Sequence, residues 1–234
     1  MGRQWLQKKR GINAEKRAKM TSKLAREIMV AAKMGAPDPA FNPRLALAIE
    51  GARKQSVSND VIARAVKKGS GAGGETANYE LVTFEGMSPQ NVPVIIECLT
   101  DNRNRTAPDM RMLFKDARFG AKVMFFFDHL GIIEAAHAEA GLDLETAALE
   151  AGADDVEALE EPPKEGTGAR FYCAPAALDA VTTALRGAGW VVSQSEMGYR
   201  AKEPAALTPE QRAAHEEFLE RIDDHDDCHR IYSA

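Results

Sequence analysis

The N-terminal segment combines positively charged side chains with a tryptophan, and this combination is suited to binding nucleic acid. Lysine and arginine neutralise phosphate groups, and an indole ring can stack on a base. Trp5 could equally be a core anchor that packs the segment onto a helix bundle, and the residues leave both roles open. The predicted nucleic-acid-binding residues of this segment are Arg3, Trp5, Lys8, Lys9, Arg10, Lys16, Arg17, Lys19, Lys23 and Arg26.

A second candidate site for an anion is the segment 101–106, which has the sequence DNRNRT. It lies between a predicted apolar strand and the start of a predicted helix, so its two arginines would approach unpaired helix N–H groups. The alternative is a structural loop in which Asn and Asp side chains bond to their own backbone. We include Asn102, Arg103 and Arg105 among the predicted nucleic-acid-binding residues.

Two other patterns resemble functional motifs but lack the required context. Residues 69–74 (GSGAGG) fit G-x-G-x-x-G, yet they follow a predicted helix and precede a strand, the reverse of a dinucleotide site. Residues 223–229 (DDHDDCH) contain potential metal ligands without a recognised spacing, which favours an acidic helix end and turn. The other histidines have no evident nucleophile partner. We therefore expect no cofactor, no metal site and no enzymatic activity.

Charge is divided unequally along the chain. Residues 1–74 contain sixteen Lys and Arg against five Asp and Glu, whereas residues 75–234 contain fourteen against thirty. A basic segment on an acidic body favours a polyanionic partner, DNA or ribosomal RNA, because concentrated positive charge raises local affinity for polyanions. The alternative for the same cations is an ordinary solvated helix face.

Composition also predicts the cellular compartment of the protein. No apolar run approaches the ~20 residues needed to span a bilayer, so we expect no membrane partner. The first residues lack the apolar stretch of a signal peptide. The three cysteines are far apart and suit buried thiols in a reducing compartment. These observations predict a cytoplasmic protein.

Three amphipathic helices are predicted to carry the basic residues. After a short arm, the first helix covers residues 14–34, where apolar and basic side chains separate onto different faces. Asn42 and Pro43 mark the start of the second helix. The third begins near residue 58 and ends at Gly69, since glycine suits a left-handed helix end.

From residue 79 the pattern changes to short β-rich runs with helices between them. Strands are predicted over 79–85, 92–99 and 122–128. A helix between the last two is predicted to start at Thr106, because Thr106 and Asp109 resemble a capping box. Residues 131–197 then follow the order β-α-β-β-α-β, which is ferredoxin-like.

The last predicted elements, a helix over 208–223 and a strand over 228–232, would complete the sheet that begins at residue 79. The predicted fold class is therefore α+β, with an N-terminal three-helix domain followed by two ferredoxin-like α+β domains, one inserted in the other. The predicted domains are a basic helical domain, 1–77, a discontinuous α+β domain, 78–130 plus 205–234, and an inserted ferredoxin-like domain, 131–204.

Several segments together resemble the YebC/PmpR family. They are residues 23–28 (KLAREI), 42–45 (NPRL), 62–69 (IARAVKKG) and, most specifically, 97–106 (ECLTDNRNRT). The resemblance covers essentially the whole chain and implies a helical N-terminal domain plus two α+β domains. Three segments depart from the family pattern. The start lacks the family's histidine, the glycine-rich turn near Gly120 is about four residues shorter, and residues 88–91 (SPQN) replace a Gly-Pro-Gly-Gly turn.

The resemblance also implies function. It favours a DNA-binding transcriptional regulator, with a translation factor bound to the ribosome and its RNA as the alternative. Charge does not separate these two, because phosphate contacts carry no sequence information. A regulator that senses a small molecule through its ferredoxin-like domains is a weaker alternative that only the architecture supports.

Overall fold

The described part of the chain contains an N-terminal group of three helices and two four-stranded antiparallel sheets, with four further helices in the same chain segments as the sheets. The computed structural model describes residues 4–72, 74, 78–159 and 166–234, without the side chains of residues 4–16. One compact unit consists of Met1–Val123 with Ala205–Ser233, and the second of Met124–Pro204 with the final residue. The finer three-domain boundaries stay a prediction.

The helical segment consists of α1 (Gln4–Met34), α2 (Pro43–Lys54) and α3 (Asn59–Gly69). The expected short arm before residue 14 is wrong: α1 already starts at Gln4, and the Gln, Leu, Lys and Arg residues there are good helix formers. The helices share a core of small and branched side chains, among them Ile28, Ala31, Leu45, Ile49 and Ile62. A Cβ at Gly69 would lie 2.3 Å from the Met29 carbonyl oxygen, so only glycine permits this contact between α3 and α1.

The first sheet has the order β3-β1-β2-β8, formed by β1 (Glu80–Met87), β2 (Pro93–Thr100), β3 (Arg118–Phe119) and β8 (Cys228–Ser233). Two helices, α4 (Arg103–Leu113) and α7 (Pro209–Asp223), contribute to the core on one face of this sheet. Phe114, which follows α4, meets Phe218 of α7 edge to face, with ring centroids 5.1 Å apart. The central strand β2 is buried along its whole length.

Two elements that were predicted to follow β2 differ in position from the prediction. α4 starts at Arg103 and not at Thr106, because the Asn102 side chain accepts a hydrogen bond from the Arg105 N–H and caps the helix. The third strand is β3 and not residues 122–128, where Met124–Phe126 form a short 3-10 helix. There the Val123 N–H donates to the Glu85 side chain, so a tertiary contact replaces the strand pairing that propensity favoured.

The second unit contains β4 (Phe127–His137), α5 (Leu144–Ala151), β5 (Asp155–Ala158), β6 (Thr167–Cys173), α6 (Leu178–Gly187) and β7 (Val191–Ala201). Its strand order is β5-β6-β4-β7, with the first strand, β4, between the third and fourth. This arrangement confirms the predicted ferredoxin-like order. Phe171, Leu185 and Trp190 are buried in this unit. Across the described residues of both units, no helix is both long and apolar enough to cross a membrane.

Candidate nucleic-acid interface

The two predicted groups of cations meet at one buried carboxylate, Asp227, in the turn between α7 and β8. Its side chain is only 2% exposed. Arg26 of α1 reaches it with Nη1 3.2 Å from Oδ1, and Arg105 of α4 reaches the other oxygen with Nη2 2.8 Å from Oδ2. Each oxygen of this carboxylate therefore has a guanidinium partner from a different helix.

Local structure positions each of these partners. The Asn102 cap sets the first turn of α4, which directs Arg105 and Thr106 towards the α7–β8 turn. The Thr106 hydroxyl donates to Asp227 Oδ2 over 2.7 Å, and the Asp227 carbonyl accepts from the Leu99 N–H at 2.9 Å. The site is thus built from α1, α4, β2 and the turn before β8.

The charge state of Asp227 follows from these contacts. Burial by itself raises the pKa of a carboxyl group, because it removes the charged form from water. Hydrogen bonds from Arg105 and Thr106, together with the positive charges of Arg105 and Arg26, outweigh burial and lower the pKa of Asp227 below its ordinary value. The carboxylate is therefore ionised at neutral pH and is neutralised inside the protein.

Other basic residues of α1 contact the acidic end of α7. Lys23 Nζ lies 2.9 Å from Asp223 Oδ1, and Lys19 Nζ donates to the Asp224 carbonyl at 3.2 Å. Carbonyl groups at a helix C-terminus carry partial negative charge and attract such cations. Arg26 also donates to the carbonyl of Asp226. The basic stripe from Lys19 to Arg26 is therefore held by the segment 223–227.

The predicted site residues fall into three groups. Lys19, Lys23, Arg26 and Arg105 contact acidic residues or carbonyls of the chain itself, and Asn102 caps α4. Arg17 and Arg103 are exposed and form no ion pair among the described residues. Arg3 lies outside the described residues, and only the backbone positions within α1 are described for Trp5, Lys8, Lys9, Arg10 and Lys16.

Two features of the site were missed by the sequence analysis. Asp227 belongs to the segment 223–229 that was considered for metal binding, and its acidic side chain binds two arginines instead. Within the described ranges, no group of three His, Cys, Asp or Glu residues is arranged to hold a metal ion. The second feature is a set of exposed cations on α2 and α3, which the excess of Lys and Arg in residues 1–74 could have indicated: Arg53, Arg64, Lys67 and Lys68.

Family models match both parts of the chain. Residues 2–72 match the model described as the TACO1/YebC protein N-terminal domain, and residues 79–234 match the TACO1/YebC second and third domain. The chain belongs to the TACO1/YebC family. This membership confirms the resemblance carried by the KLAREI and DNRNRT segments, whose arginines Arg26 and Arg105 meet at Asp227.

Individual relatives are similar in sequence to this chain over nearly their full length. A probable transcriptional regulatory protein of Polaromonas sp. is 46% identical over 99% of this chain and 98% of its own. A protein of the same description from Bdellovibrio bacteriovorus is 44% identical, with both chains fully covered. The crystal structure of a conserved hypothetical protein, Aq1575, from Aquifex aeolicus has a TM-score of 0.78 and 33% identity, covering 93% of this chain and 89% of that one.

A pH dependence of stability follows from the Asp227 ion pairs. Because the pKa of the folded state lies below that of unfolded Asp, about 3.9, the stabilisation is complete above that value and is lost as pH falls through the folded-state pKa. We expect the difference in unfolding free energy between the wild type and Asp227→Asn to shrink below about pH 4. Urea titrations of both proteins over acidic pH measure it, and a constant difference would contradict the assignment.

Proposed function

We propose that this chain is a regulatory protein that binds DNA through the exposed cations of its helical segment. The observation that carries the proposal is the separation of these cations from the internal ion pairs. Asp227 and the end of α7 engage Lys19, Lys23, Arg26 and Arg105. Other cations of the described helical segment are exposed and form no ion pair with described residues: Arg17, Lys33, Arg53, Arg64, Lys67 and Lys68.

The mode of binding follows from the chemistry of these groups. Exposed lysines and arginines neutralise phosphates and release counterions, which supplies affinity without reading a sequence. The acidic remainder of the chain, with thirty Asp and Glu, repels the same polyanion and leaves the helical segment as the binding face. The relatives named as probable transcriptional regulatory proteins support DNA as the partner. The proposed role is binding in the cytoplasm, without catalysis.

Charge removal on α3 tests the proposal. Replacing Arg64, Lys67 and Lys68 with alanine is expected to weaken binding to duplex DNA and to reduce the slope of log K against log salt by about one for each phosphate that is no longer neutralised. These side chains are exposed, so stability should change by no more than about 0.5 kcal/mol per site. Fluorescence anisotropy at several salt concentrations measures both the affinity and the salt slope.

The matched control removes three exposed cations from the acidic remainder of the chain: Lys115, Arg186 and Arg212. This triple alanine variant has the same change in net charge and should keep most of the affinity and the wild-type salt slope. Equal losses in both variants would show that net charge alone governs binding. A wild-type affinity that does not respond to salt would contradict phosphate binding altogether.

A competition experiment separates DNA from ribosomal RNA. Both polymers present phosphates, so the α3 variant alone does not tell them apart. We expect duplex DNA to displace the protein from a labelled duplex at least as well as ribosomal RNA does at the same salt concentration. Sedimentation of a cell lysate in sucrose gradients is the matching cellular test, and co-migration with ribosomal particles would replace DNA by the ribosome as the partner.

A further inference from the structure

The turn between α1 and α2 exposes two large apolar side chains within the basic helical segment. Phe41 is 79% exposed and Met34 is 71% exposed, although the same helices bury smaller apolar residues in a shared core. Single exposed apolar residues are common on protein surfaces. Phe41 and Met34 lie at the same turn. The hydrogen bonds and charges of that turn therefore indicate whether the two side chains form a binding surface.

Hydrogen bonds hold this turn in a defined conformation. Asn42 is buried, and its Nδ2 donates to the carbonyl oxygens of Ala31 and Ala36, each at 2.9 Å. The Oδ1 atom of the same side chain accepts from the Leu45 N–H at 3.0 Å and caps α2. A Cβ at Gly35 would lie 2.6 Å from Asn42 Nδ2, so glycine allows this side chain to reach back across the turn.

The residues next to Phe41 are ordered as well. The Asp38 carboxylate accepts from the Ala40 N–H at 2.9 Å, and the Asp38 carbonyl accepts from the Phe41 N–H at 3.0 Å. The backbone that carries the phenyl ring is therefore ordered before any partner arrives. Binding through this ring therefore requires little further ordering of the backbone.

Two cations lie close to this turn along the chain. Lys33 is exposed in the last turn of α1, and Arg44 Nη1 lies 3.6 Å from Met34 Sδ. The acidic residue of the turn, Asp38, accepts hydrogen bonds from the turn's own backbone. An exposed aromatic ring and cations at the ends of the same turn match a nucleotide, whose base stacks on the ring while its phosphates meet the cations.

We propose that Phe41 is a stacking platform for an unpaired base of a bound nucleic acid, with Lys33 and Arg44 contacting the adjacent phosphates. This proposal rests on the proposed nucleic-acid-binding function and extends it to a preference for unpaired nucleotides. Bases inside an intact duplex already stack on their neighbours, so Phe41 contributes to binding only where a strand is unpaired or frayed.

The test compares Phe41→Ala in the full chain with the wild type, using one oligodeoxynucleotide as a single strand and as a duplex at the same salt concentration. Loss of one stacked base is expected to weaken single-strand binding by roughly 5- to 150-fold, with a change below about twofold for the duplex. The salt slope should stay the same because no cation is removed. Phe41→Trp should retain single-strand affinity, since indole also stacks.

A matched control is Leu149→Ala in α5, which removes an apolar side chain that is 81% exposed and belongs to the second unit. It should leave both affinities unchanged. Unchanged single-strand affinity in Phe41→Ala overturns the stacking proposal while the DNA-binding function stands. If Phe41→Ala keeps its single-strand affinity but no longer binds a protein that the wild type binds, the ring would be assigned to that protein partner instead. A wild type that binds neither oligonucleotide would contradict the proposed function itself.

Discussion

Replacing Asp227 with alanine is expected to lower the free energy of unfolding by about 3–5 kcal/mol, because it removes one partner of a buried ion pair and leaves the others uncompensated. Arg26, which is mostly buried, would lose its carboxylate. The Thr106 hydroxyl would lose one acceptor but retain the Thr100 hydroxyl at 2.7 Å. Arg105 is half exposed and can turn towards water, so most of the cost comes from Arg26. Urea denaturation at neutral pH measures the change.

The neighbouring residue offers a matched control. Asp226 is exposed, and Arg26 contacts its backbone carbonyl, which alanine retains. Asp226→Ala should therefore change stability by no more than about 0.5 kcal/mol. If Asp227→Ala were as mild as this control, the two arginines would not depend on the carboxylate, and the convergence of α1 and α4 on it would be incidental to the fold.

Deleting residues 205–234 is expected to unfold the first sheet while the second stays intact. The deletion removes α7 and β8, including Phe218 and Ile222, which are fully buried against β2 and α4. Each buried side chain of this size contributes about 2–5 kcal/mol, a large share of a typical domain's total of about 5–15 kcal/mol. It also leaves one edge of β2 without its hydrogen-bonded neighbour.

Hydrogen exchange resolves this prediction strand by strand. Amides of Val94 to Cys98 in β2 should exchange at rates close to those of an unfolded chain in the truncated protein. Amides of β6, whose partners β4 and β5 both lie outside the deleted segment, should keep their protection and serve as the internal control. Full protection of β2 after truncation would show that α7 and β8 are an accessory to the sheet and not part of its structure.

Local sequence signals predicted where α2 and α7 start. Asn42 and Pro43 begin α2, and the cap contact from the Leu45 N–H to Asn42 spans three residues of chain. Thr208 likewise begins α7, where its hydroxyl accepts from the Gln211 N–H and the Gln211 side chain accepts from the Thr208 N–H. Such signals are readable because donor and acceptor are both in one short window of sequence.

Local signals were misleading where a tertiary contact competed with them. Thr106 resembles a helix cap in sequence, yet its hydroxyl bonds to Asp227, 121 residues away, and Asn102 caps α4 instead. The aromatic run ending at Phe127 has high β propensity, but only Phe127 belongs to a strand. Propensity is worth a fraction of a kcal/mol per residue and yields to packing and long-range hydrogen bonds.

The sequence by itself determined which surface is basic, which segments are helical and which family the chain resembles, because these follow from composition and short-range patterns. Only the tertiary structure decided which cations form ion pairs within the chain. Arg26 and Arg105 are 79 residues apart and Asp227 lies a further 122 residues along the chain, yet folding joins all three. Ion pairs of this kind depend on distances below 4 Å, and no local pattern specifies which distant residues will meet.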